Sequence, residues 1–452
     1  MKKIFTLVML SILTVMTAQA AVETVLWEGD LWISWEGGNT DDAHKQVSIS
    51  DVANFADDQV MYVYLAKDTD ADHLAWGDYH TYRLDGDWDT PLIENGVNDD
   101  YVKVKFTVTS AIKTSLGAKT FNIHGHGIRV LRVTKEVADC PNDIKSAPDA
   151  VITDWSHGNY MFNLDANSIS TGVTLYMLVT TGEGSSIRYS DNNQDWATNT
   201  DVTSTLDGNG IVTVALSNDF VSQVLTGTYH EIAFWGNNYT INAIATSKDA
   251  LLQLKYGLLV NMDANGYATF CSNWKLDIAA LPAGVEAYTA TLTGKTLSFT
   301  KKDDEAVDAG TGLMLKGAAW NPYKIPVTTG TSSAVAGNAL SANLTDQTLQ
   351  SDGSTYIFVM AKANSAGSLT FKKLPDSPTA IPANKAYVQV AASAFSNSAP
   401  ELNISFGETT GIESIDHSPL TIDHSVYNLA GQLVAQPTKG LYIVNGKKVV
   451  IR

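Results

Sequence analysis

Apolar and polar residues alternate with a period of two along most of the chain. In residues 102–108, VKVKFTV, the apolar side chains alternate with Lys103, Lys105 and Thr107, so an extended strand here has one apolar and one polar face. Clusters of Gly, Asn, Asp and Ser interrupt such runs at short intervals, which is typical of sandwiches rather than βαβ units. Only residues 110–116 and 219–226 fit a short helical turn. The pattern predicts an all-β protein.

Features of the first part of the chain recur in the same order about 110–120 residues later. Trp35–Asn39, WEGGN, corresponds to Trp155–Asn159, WSHGN, and Ile123-His124-Gly125 corresponds to Phe234-Trp235-Gly236. We therefore expect two diverged β-sandwich modules, followed by a third β-domain and a small C-terminal β-module, with linkers at 138–148 and 396–412. The predicted boundaries are 21–137, 148–250, 255–407 and 412–452.

Charge and cysteine content narrow the range of functions. The 452 residues carry a formal net charge of -18 and include only two cysteines. Such a surface repels phosphate backbones and anionic lipid, so we expect neither nucleic acid nor a membrane surface as a partner. Two cysteines cannot staple a scaffold of this size. We expect Cys140 and Cys271 to be unpaired, incidental thiols.

The N-terminal residues have the pattern of a secretory signal peptide. Lys2 and Lys3 precede an apolar run over 4–16, and Ala18-Gln19-Ala20 is a small-x-small cleavage site. This run is too short and wrongly flanked for a membrane span, and no later stretch is long and apolar enough to be one. We expect residues 1–20 to be removed and the protein to be secreted or displayed at the cell surface.

The C-terminal residues combine short strand patterns with glycine turns. Residues 426–431, VYNLAG, 440–446, GLYIVNG, and 447–452, KKVVIR, are the candidate strands, with Asn445-Gly446 as a hairpin turn. This segment resembles the C-terminal sorting domain of the type IX secretion system of Bacteroidetes. The resemblance implies the secretion machinery as a partner and export across the outer membrane.

The body of the chain has family resemblances as well. Leu26–Asp30, LWEGD, opens the first module and Ile123–Ile128, IHGHGI, closes it. With these motifs, the modules at 21–137 and 148–250 resemble the secreted jelly-roll modules of Bacteroidetes, which look like carbohydrate-binding modules. Residues 255–407, with turns such as Gly310-Thr311-Gly312, are similar to an accessory β-domain of secreted Bacteroidetes proteins, whose default role is a spacer.

Strand parity predicts which aromatic side chains point outward. In residues 232–235, Ile232 and Phe234 share the inner face, which directs Trp235 outward, and the same alternation directs His124 outward. An exposed indole can stack on the CH face of a sugar ring while polar neighbours bind its hydroxyls. The alternative is a bulge at Gly125 or Gly236 that reverses the parity and packs these side chains inside.

Loop aromatics and polar neighbours complete the candidate carbohydrate site. Trp88 and Trp196 each follow an Asp in a polar loop, and a longer aromatic loop precedes Trp88. The predicted carbohydrate-binding residues are Trp76, Tyr79, Trp88, His124, His126, Trp196, Trp235 and Asn237.

No linear motif indicates a reaction or a cofactor. The chain has no GxSxG or HExxH motif, and His124-x-His126 lacks a third zinc ligand. Asp68-x-Asp70-x-Asp72 resembles a calcium loop, but His73 stands where an EF-hand requires Gly, so a solvated acidic loop is favoured. We expect no cofactor, although a jelly roll is compatible with a structural calcium whose ligands cannot be read here.

These observations favour a secreted or cell-surface, non-catalytic protein that binds polysaccharide, such as a plant cell-wall glycan or a related polymer. Two weak sites on one polymer act at high effective concentration, which gives tandem modules a physical rationale. Two alternatives stay open. One is a surface adhesin or structural protein that binds protein partners, and the other is a glycan-active enzyme without a recognisable linear motif.

Overall fold

The computed structural model describes residues 21–34, 46–50, 52, 55–74, 77–86, 91–97, 101–117, 119–156, 159–303, 305–361, 369–395, 401–406, 413–414, 426–428, 434, 437–444 and 447–451. The predicted signal peptide and the predicted Asn445-Gly446 turn lie outside these residues. The described chain is an all-β, multi-domain fold, as predicted. None of its described helices combines the length and the apolar character needed to cross a bilayer.

The first eight strands form two four-stranded antiparallel sheets, in the orders β1-β8-β3-β6 and β2-β7-β4-β5. This order is that of a jelly roll, and we call it the first jelly roll. Its strands are β1 (Ala21–Ile33), β2 (Val47–Ile49), β3 (Gln59–Lys67), β4 (Thr81–Asp85), β5 (Pro91–Gly96), β6 (Tyr101–Val108), β7 (Phe121–His126) and β8 (Ile128–Ala138).

The alternation that predicts strands also fills the core of the first jelly roll. Phe106 and Val108 on β6 are buried against Leu84, Ile123 and other apolar residues of both sheets, whereas Lys103 and Lys105 are exposed. Helix α1 (Ser110–Leu116) follows β6 at the position predicted for a helical turn, with the Thr109 hydroxyl accepting a hydrogen bond from the N–H of Ile112.

The next seven strands repeat this arrangement with fewer, longer strands, and we call them the second jelly roll. The long strands β12 and β15 pair antiparallel in two stretches, over residues 176–181 and 186–191 of β12, with a register shift between Thr181 and Ser186. The same pair of strands thereby contributes to both layers. The strands are β9 (Ile144–Ser146), β10 (Ala150–Ile152), β11 (Tyr160–Asn163), β12 (Val173–Asp191), β13 (Thr200–Asp201), β14 (Ile211–Leu216) and β15 (Glu231–Ala245). Helix α2 (Asn218–Thr226) follows β14, close to its predicted position.

A third unit is built on a nine-stranded mixed sheet, in the order β17-β22-β19-β20-β31-β28-β27-β30-β25. Smaller sheets and hairpins flank it. Its strands are β16 (Leu258–Asn261), β17 (Tyr267–Phe270), β18 (Lys275–Asp277), β19 (Glu286–Thr293), β20 (Thr296–Lys302), β21 (Ala306–Val307), β22 (Leu313–Lys316), β23 (Pro322–Ile325), β24 (Val327–Thr328), β25 (Leu340–Asn343), β26 (Gln347–Leu349), β27 (Thr355–Met360), β28 (Phe371–Lys373), β29 (Thr379–Ile381), β30 (Lys385–Ala391) and β31 (Glu401–Phe406).

Four short strands near the C-terminus form a separate sheet in the order β32-β35-β34-β33. Residues 440–444 and 447–451 pair antiparallel, at the positions of two predicted strands. The strands are β32 (Glu413–Ser414), β33 (Val426–Tyr427), β34 (Gly440–Val444) and β35 (Lys447–Ile451).

A third helix, α3 (Lys248–Tyr256), joins the second jelly roll to the third unit and was not predicted. Its ends carry ordinary helix signals that the strand pattern around it obscures. Ser247 caps the N-terminus, and Gly257, at φ 77°, ends the helix. Leu251 and Leu252 enter an apolar cluster that also contains residues of both jelly rolls and of the third unit.

Gln253 on α3 is the polar centre of this junction. Its buried side chain donates from Nε2 to the carbonyl of Ala138 (2.8 Å) and accepts at Oε1 from Trp274 Nε1 (2.7 Å) and from the N–H of Cys140 (3.2 Å). One amide therefore satisfies groups from the end of β8, the following turn and the third unit.

The expectation of a linker at 138–148 is wrong. Asp139 and Cys140 are buried there, and the segment continues into β9, which pairs with β15. The Asp139 carboxylate accepts hydrogen bonds from Ser272 Oγ (2.7 Å) and the N–H of Asn273 (2.6 Å). The segment has prolines and few apolar residues, which is typical of a linker. In the structure, however, the third unit and α3 pack against it and bury it.

Both cysteines lie close to this junction. Cys140 and Cys271 are free and buried, and burial raises the pKa of each thiol to about 12. At neutral pH neither is a thiolate, so neither has the ionisation state that a cysteine nucleophile requires.

We predict that Gln253→Ala destabilises the junction by about 3 kcal/mol, because buried donors and acceptors on three segments lose their partner. Urea unfolding followed by tryptophan fluorescence measures the change. Gln389→Ala, which removes an exposed glutamine on β30, is the matched control and is expected to stay within about 0.5 kcal/mol of the wild type. Equal stability of both variants would contradict the role assigned to Gln253.

The buried carboxyl of Asp139 gives a second prediction. Burial raises its pKa, against the opposing effect of the hydrogen bonds from Ser272 and Asn273. The folded state thus retains a proton that the unfolded chain releases near pH ~3.9. The stability contribution of this group is therefore lost as the pH rises from that value through the raised pKa.

Asp139→Asn removes this titration, so its stability relative to the wild type should improve as the pH rises from about 4 to 7. Melting temperatures across this range test the slope. Asp352→Asn is the control of opposite sign, because hydrogen bonds from Ser354 and Thr355 lower the pKa of Asp352. Its stability deficit should shrink as the pH falls. A pH-independent difference for Asp139→Asn would refute the assignment.

Candidate functional site

Each jelly roll has a sheet face that points away from its own core, and the candidate residues lie there. In the first jelly roll, Phe121 and Ile123 on β7 enter the core, so Asn122, His124 and His126 lie on the opposite face. Asn122 is tied to the neighbouring strand by a hydrogen bond from Ser48 Oγ (2.8 Å). The predicted parity is correct, and the β7–β4 register contains no bulge at Gly125.

His124 belongs to a buried charged cluster on this face. Its Nε2 lies 2.7 Å from Asp85 Oδ2, and Arg83 Nε lies 3.0 Å from the same oxygen. His124 is 0% exposed, so the expectation that it lies in solvent is wrong. Buried charges are retained where they are paired, and this cluster closes the centre of the face.

His126 lies at the end of β7 and is also buried. Its ring stacks on Tyr79, with 4.1 Å between ring centroids, and its Nε2 lies 3.0 Å from the carbonyl of Gly77. The loop before β4 therefore covers His126, which corrects its assignment as an exposed sugar ligand. Tyr79 itself is 41% exposed and presents its ring to solvent on this side.

In the second jelly roll the corresponding face is aromatic. Trp235 pairs with Arg188 in the ladder, just as His124 pairs with Arg83. Phe234 enters the core, so Trp235 lies on the outer face as parity predicts, and its Nε1 donates to Ser190 Oγ (3.2 Å). It is nevertheless only 3% exposed, so the prediction of an exposed indole at this position is wrong.

Trp155 explains this burial. Its ring meets Trp235 edge to face, with 6.0 Å between centroids. The Arg188 guanidinium lies 5.2 Å from the Trp155 ring and 5.6 Å from the Trp235 ring, and it also pairs with Asp201 (3.3 Å). Trp155 remains 49% exposed. On this face the indole that faces solvent is therefore Trp155 and not Trp235. Trp235, which was expected to be exposed, instead supports the Trp155 ring.

The structure brings only part of the predicted site together. Asn237 is half-buried and follows Trp235 on β15. Trp76, Trp88 and the side chain of Trp196 lie outside the described residues. The sugar-binding roles of Tyr79, Asn237 and these three tryptophans stay predictions.

Sequence reasoning missed Trp155, Arg188 and the cluster of Arg83 with Asp85. Trp155 lies between Asp154 and Ser156 in a polar segment, and this setting is the signal that could have assigned it. Arg188 carries no local signal, because its partners come from β13, β15 and the loop that holds Trp155. Arg83 pairs with Asp85 two residues along β4, but its neighbour His124 comes from β7.

The acidic loop at 68–72 makes internal contacts. Asp68 Oδ1 accepts from the N–H of Asp70 (3.1 Å), its Oδ2 lies 2.6 Å from His73 Nδ1, and Asp70 Oδ1 accepts from the N–H of Asp72 (3.0 Å). Among the described residues, no group of three His, Cys, Asp or Glu side chains is placed to hold a metal ion. A structural calcium stays a prediction.

Fold and site together define a class: an all-β protein of jelly-roll sandwiches, with a half-exposed aromatic ring beside the outer sheet face of each. Comparison with family models gives no match, and neither does comparison with curated proteins. One similar solved structure is the Bacteroides ovatus mixed-linkage glucan utilization locus SGBP-B in complex with a mixed-linkage heptasaccharide. It is 24% identical and matches over 25% of this chain and 30% of that chain, with a TM-score of 0.22. The match spans less than a third of that protein, and a likeness of this extent carries no argument about function.

We predict that Gly236→Ala disrupts the sheet beneath the aromatic face. Gly236 has φ 142°, and an added Cβ would lie 2.0 Å from the carbonyl oxygen of Ser186. We expect a loss of about 2–4 kcal/mol, measured by thermal unfolding. Gly208→Ala, where a Cβ meets nothing within 4 Å, is the matched control. If both variants melt alike, the close approach at Gly236 is not a constraint on the fold.

Proposed function

We propose that the protein is a secreted or cell-surface, non-catalytic polysaccharide-binding protein, and that the second jelly roll carries one binding face. The observation that carries this proposal is the half-exposed Trp155 ring on the aromatic face of that module. An exposed indole loses solvent contact at little polar cost when the CH face of a sugar ring covers it.

The surroundings of Trp155 suit a sugar ligand. Contacts with Arg188 and Trp235 hold the indole in one orientation, which reduces the entropy lost on binding. Asp201 and Arg188 place a carboxylate and a guanidinium beside the ring, and sugar hydroxyls can both donate to the first and accept from the second. Stacking and polar partners are thus available side by side.

A weaker aromatic position lies on the first jelly roll. Tyr79 stacks on His126 and exposes its ring. A second site on the same polymer acts at millimolar effective concentration when the linkage spans both sites. We therefore include polysaccharide binding by both jelly rolls in the proposal, with the stronger site at Trp155.

Export is the second element of the proposal. It is supported by the signal-peptide pattern at 1–20 and by the resemblance of residues 412–452 to a type IX sorting domain. We propose the secretion machinery as a partner of this C-terminal module. The surface adhesin remains the second function to test, because exposed aromatic rings also serve protein interfaces.

We predict that Trp155→Ala reduces polysaccharide binding about thirtyfold, which corresponds to about 2 kcal/mol for a central aromatic anchor. Native electrophoresis in gels containing xylan, β-glucan or mannan measures the affinity of the full chain as retardation. Trp155→Tyr keeps a ring and should retain part of the binding.

Tyr229→Ala is the control, because it removes an exposed aromatic ring from the loop before β15. It should migrate like the wild type, and melting curves establish that all variants are folded. Unretarded migration of the wild type in all three glycans, with binding to a defined protein partner instead, would favour the adhesin and contradict the proposal.

A further inference from the structure

A cavity of about 860 Å³ lies between the first jelly roll and the third unit, and neither Tyr79 nor Trp155 is among its lining residues. Tyr64 on β3 and Lys103 on β6 form one wall, and the opposite wall includes Asp263, Tyr267, Trp320 and Met360. Neither the strand pattern nor any motif indicated this cleft, because its two walls come from distant parts of the sequence. Ligand sites of this volume commonly occur where two domains meet.

The two walls are held in a fixed relation by contacts at their base. Glu28 on β1 forms an ion pair with Lys324 on β23, and Lys135 on β8 pairs with Asp249 on α3 (2.7 Å). The buried Asp139 bonds to Ser272 of the third unit (2.7 Å). The cleft is thus a preformed feature of the packed junction, so binding does not have to order it.

Trp320 at the rim has an unusual backbone. Its φ is 62°, a left-handed conformation that is costly for a bulky residue, and its ring is 51% exposed. The N–H of Trp320 donates to the carbonyl of Asp263 (3.1 Å). Strain of this kind persists where the surroundings impose it, and it concentrates at ligand sites. Trp320 is half-exposed, so core packing does not account for a tryptophan at this position. The positive φ would favour Gly or Asn, so backbone preference does not account for it either.

The rest of the lining offers both aromatic and polar groups. Tyr64 and Tyr267 add rings, while Asn261 and Thr269 add neutral hydrogen-bonding side chains. The other lining residues include the apolar Met262, Val359, Ile381, Pro382 and Ala386. Lys103 already pairs with Glu23, which also accepts from Tyr64 Oη (2.5 Å). The second lysine of the lining, Lys385, is accompanied by the carboxylate of Asp263. Because the cations of the lining have acidic residues nearby and the chain carries a net charge of -18, the cleft favours an uncharged ligand over a polyanion.

We propose that this cleft is a separate carbohydrate site, which takes a neutral oligosaccharide with a sugar ring stacked on Trp320. The inference shares its ligand class with the proposed function, but it concerns a different surface and does not require binding at Trp155. It gives the third unit a binding role beyond that of a spacer.

The test uses Trp320→Gly in the full chain, with calorimetric titration of neutral gluco-, xylo- and manno-oligosaccharides. Glycine removes the ring and accepts positive φ without strain, so we expect an unchanged or raised melting temperature together with at least tenfold weaker binding at one site. A tryptophan with a purely structural role would instead lower the melting temperature. Trp320→Asn, which also tolerates this backbone conformation, provides a second variant.

Trp320→Phe and Trp155→Ala are the matched controls. The first keeps a ring and should retain part of the binding, and the second should leave binding at the cleft intact. If Trp320→Gly and Trp320→Asn bind every oligosaccharide like the wild type, or if the cleft binds only apolar peptides, the inference is overturned. Loss of oligosaccharide binding in Trp155→Ala alone would support the proposed site at Trp155 and refute the carbohydrate site in the cleft. Loss of binding in Trp320→Gly alone would support the site in the cleft and refute the site at Trp155.

Discussion

The junction of the two jelly rolls and the third unit depends on satisfying one buried amide. Gln253 on α3 bonds simultaneously to the end of β8, to the turn that follows it and to Trp274 of the third unit. Apolar contacts in the surrounding cluster stabilise burial but have little directional preference. The hydrogen bonds of Gln253 and Asp139 are directional and cannot be exchanged for water, so they select one relative placement of the three units. The cleft between two of these units exists because of that selection.

The two jelly rolls use one backbone arrangement for two chemistries. At matching register positions, the first has Arg83, Asp85 and His124 in a closed ion-paired cluster. The second has Arg188, Ser190 and Trp235, and the arginine packs beside two indoles that contact each other. Replacing a carboxylate and an imidazole by a hydroxyl and an indole changes the face from a charged network into the base of an aromatic platform. This difference supports a leading role for the second jelly roll in the proposed binding.

The two exposed tryptophans among the described side chains depend on contacts made by other segments. Trp155 rests on Trp235 and Arg188, and Trp320 is held by the turn at Asp263 in a conformation that tryptophan does not prefer. In each case the ring is oriented before any ligand arrives. Preorganised aromatic rings lose little conformational entropy on binding, which is the physical reason why the two proposed sites are placed at these positions.

The sequence by itself determined the all-β class, two of the three described helices and the alternation of side chains between the faces of a strand. It did not determine every strand, because β9 and β31 lie in segments predicted as linkers. His124 and Trp235 do lie opposite Ile123 and Phe234, because alternation is a local consequence of the extended backbone. Their exposure was decided only by the tertiary structure. Trp155 and Tyr79 reach these faces from distant segments, and the polar segment around Cys140 is buried by Gln253, 113 residues away. The burial of a side chain depends on every segment that packs against it. A local sequence pattern does not show which distant segments these are.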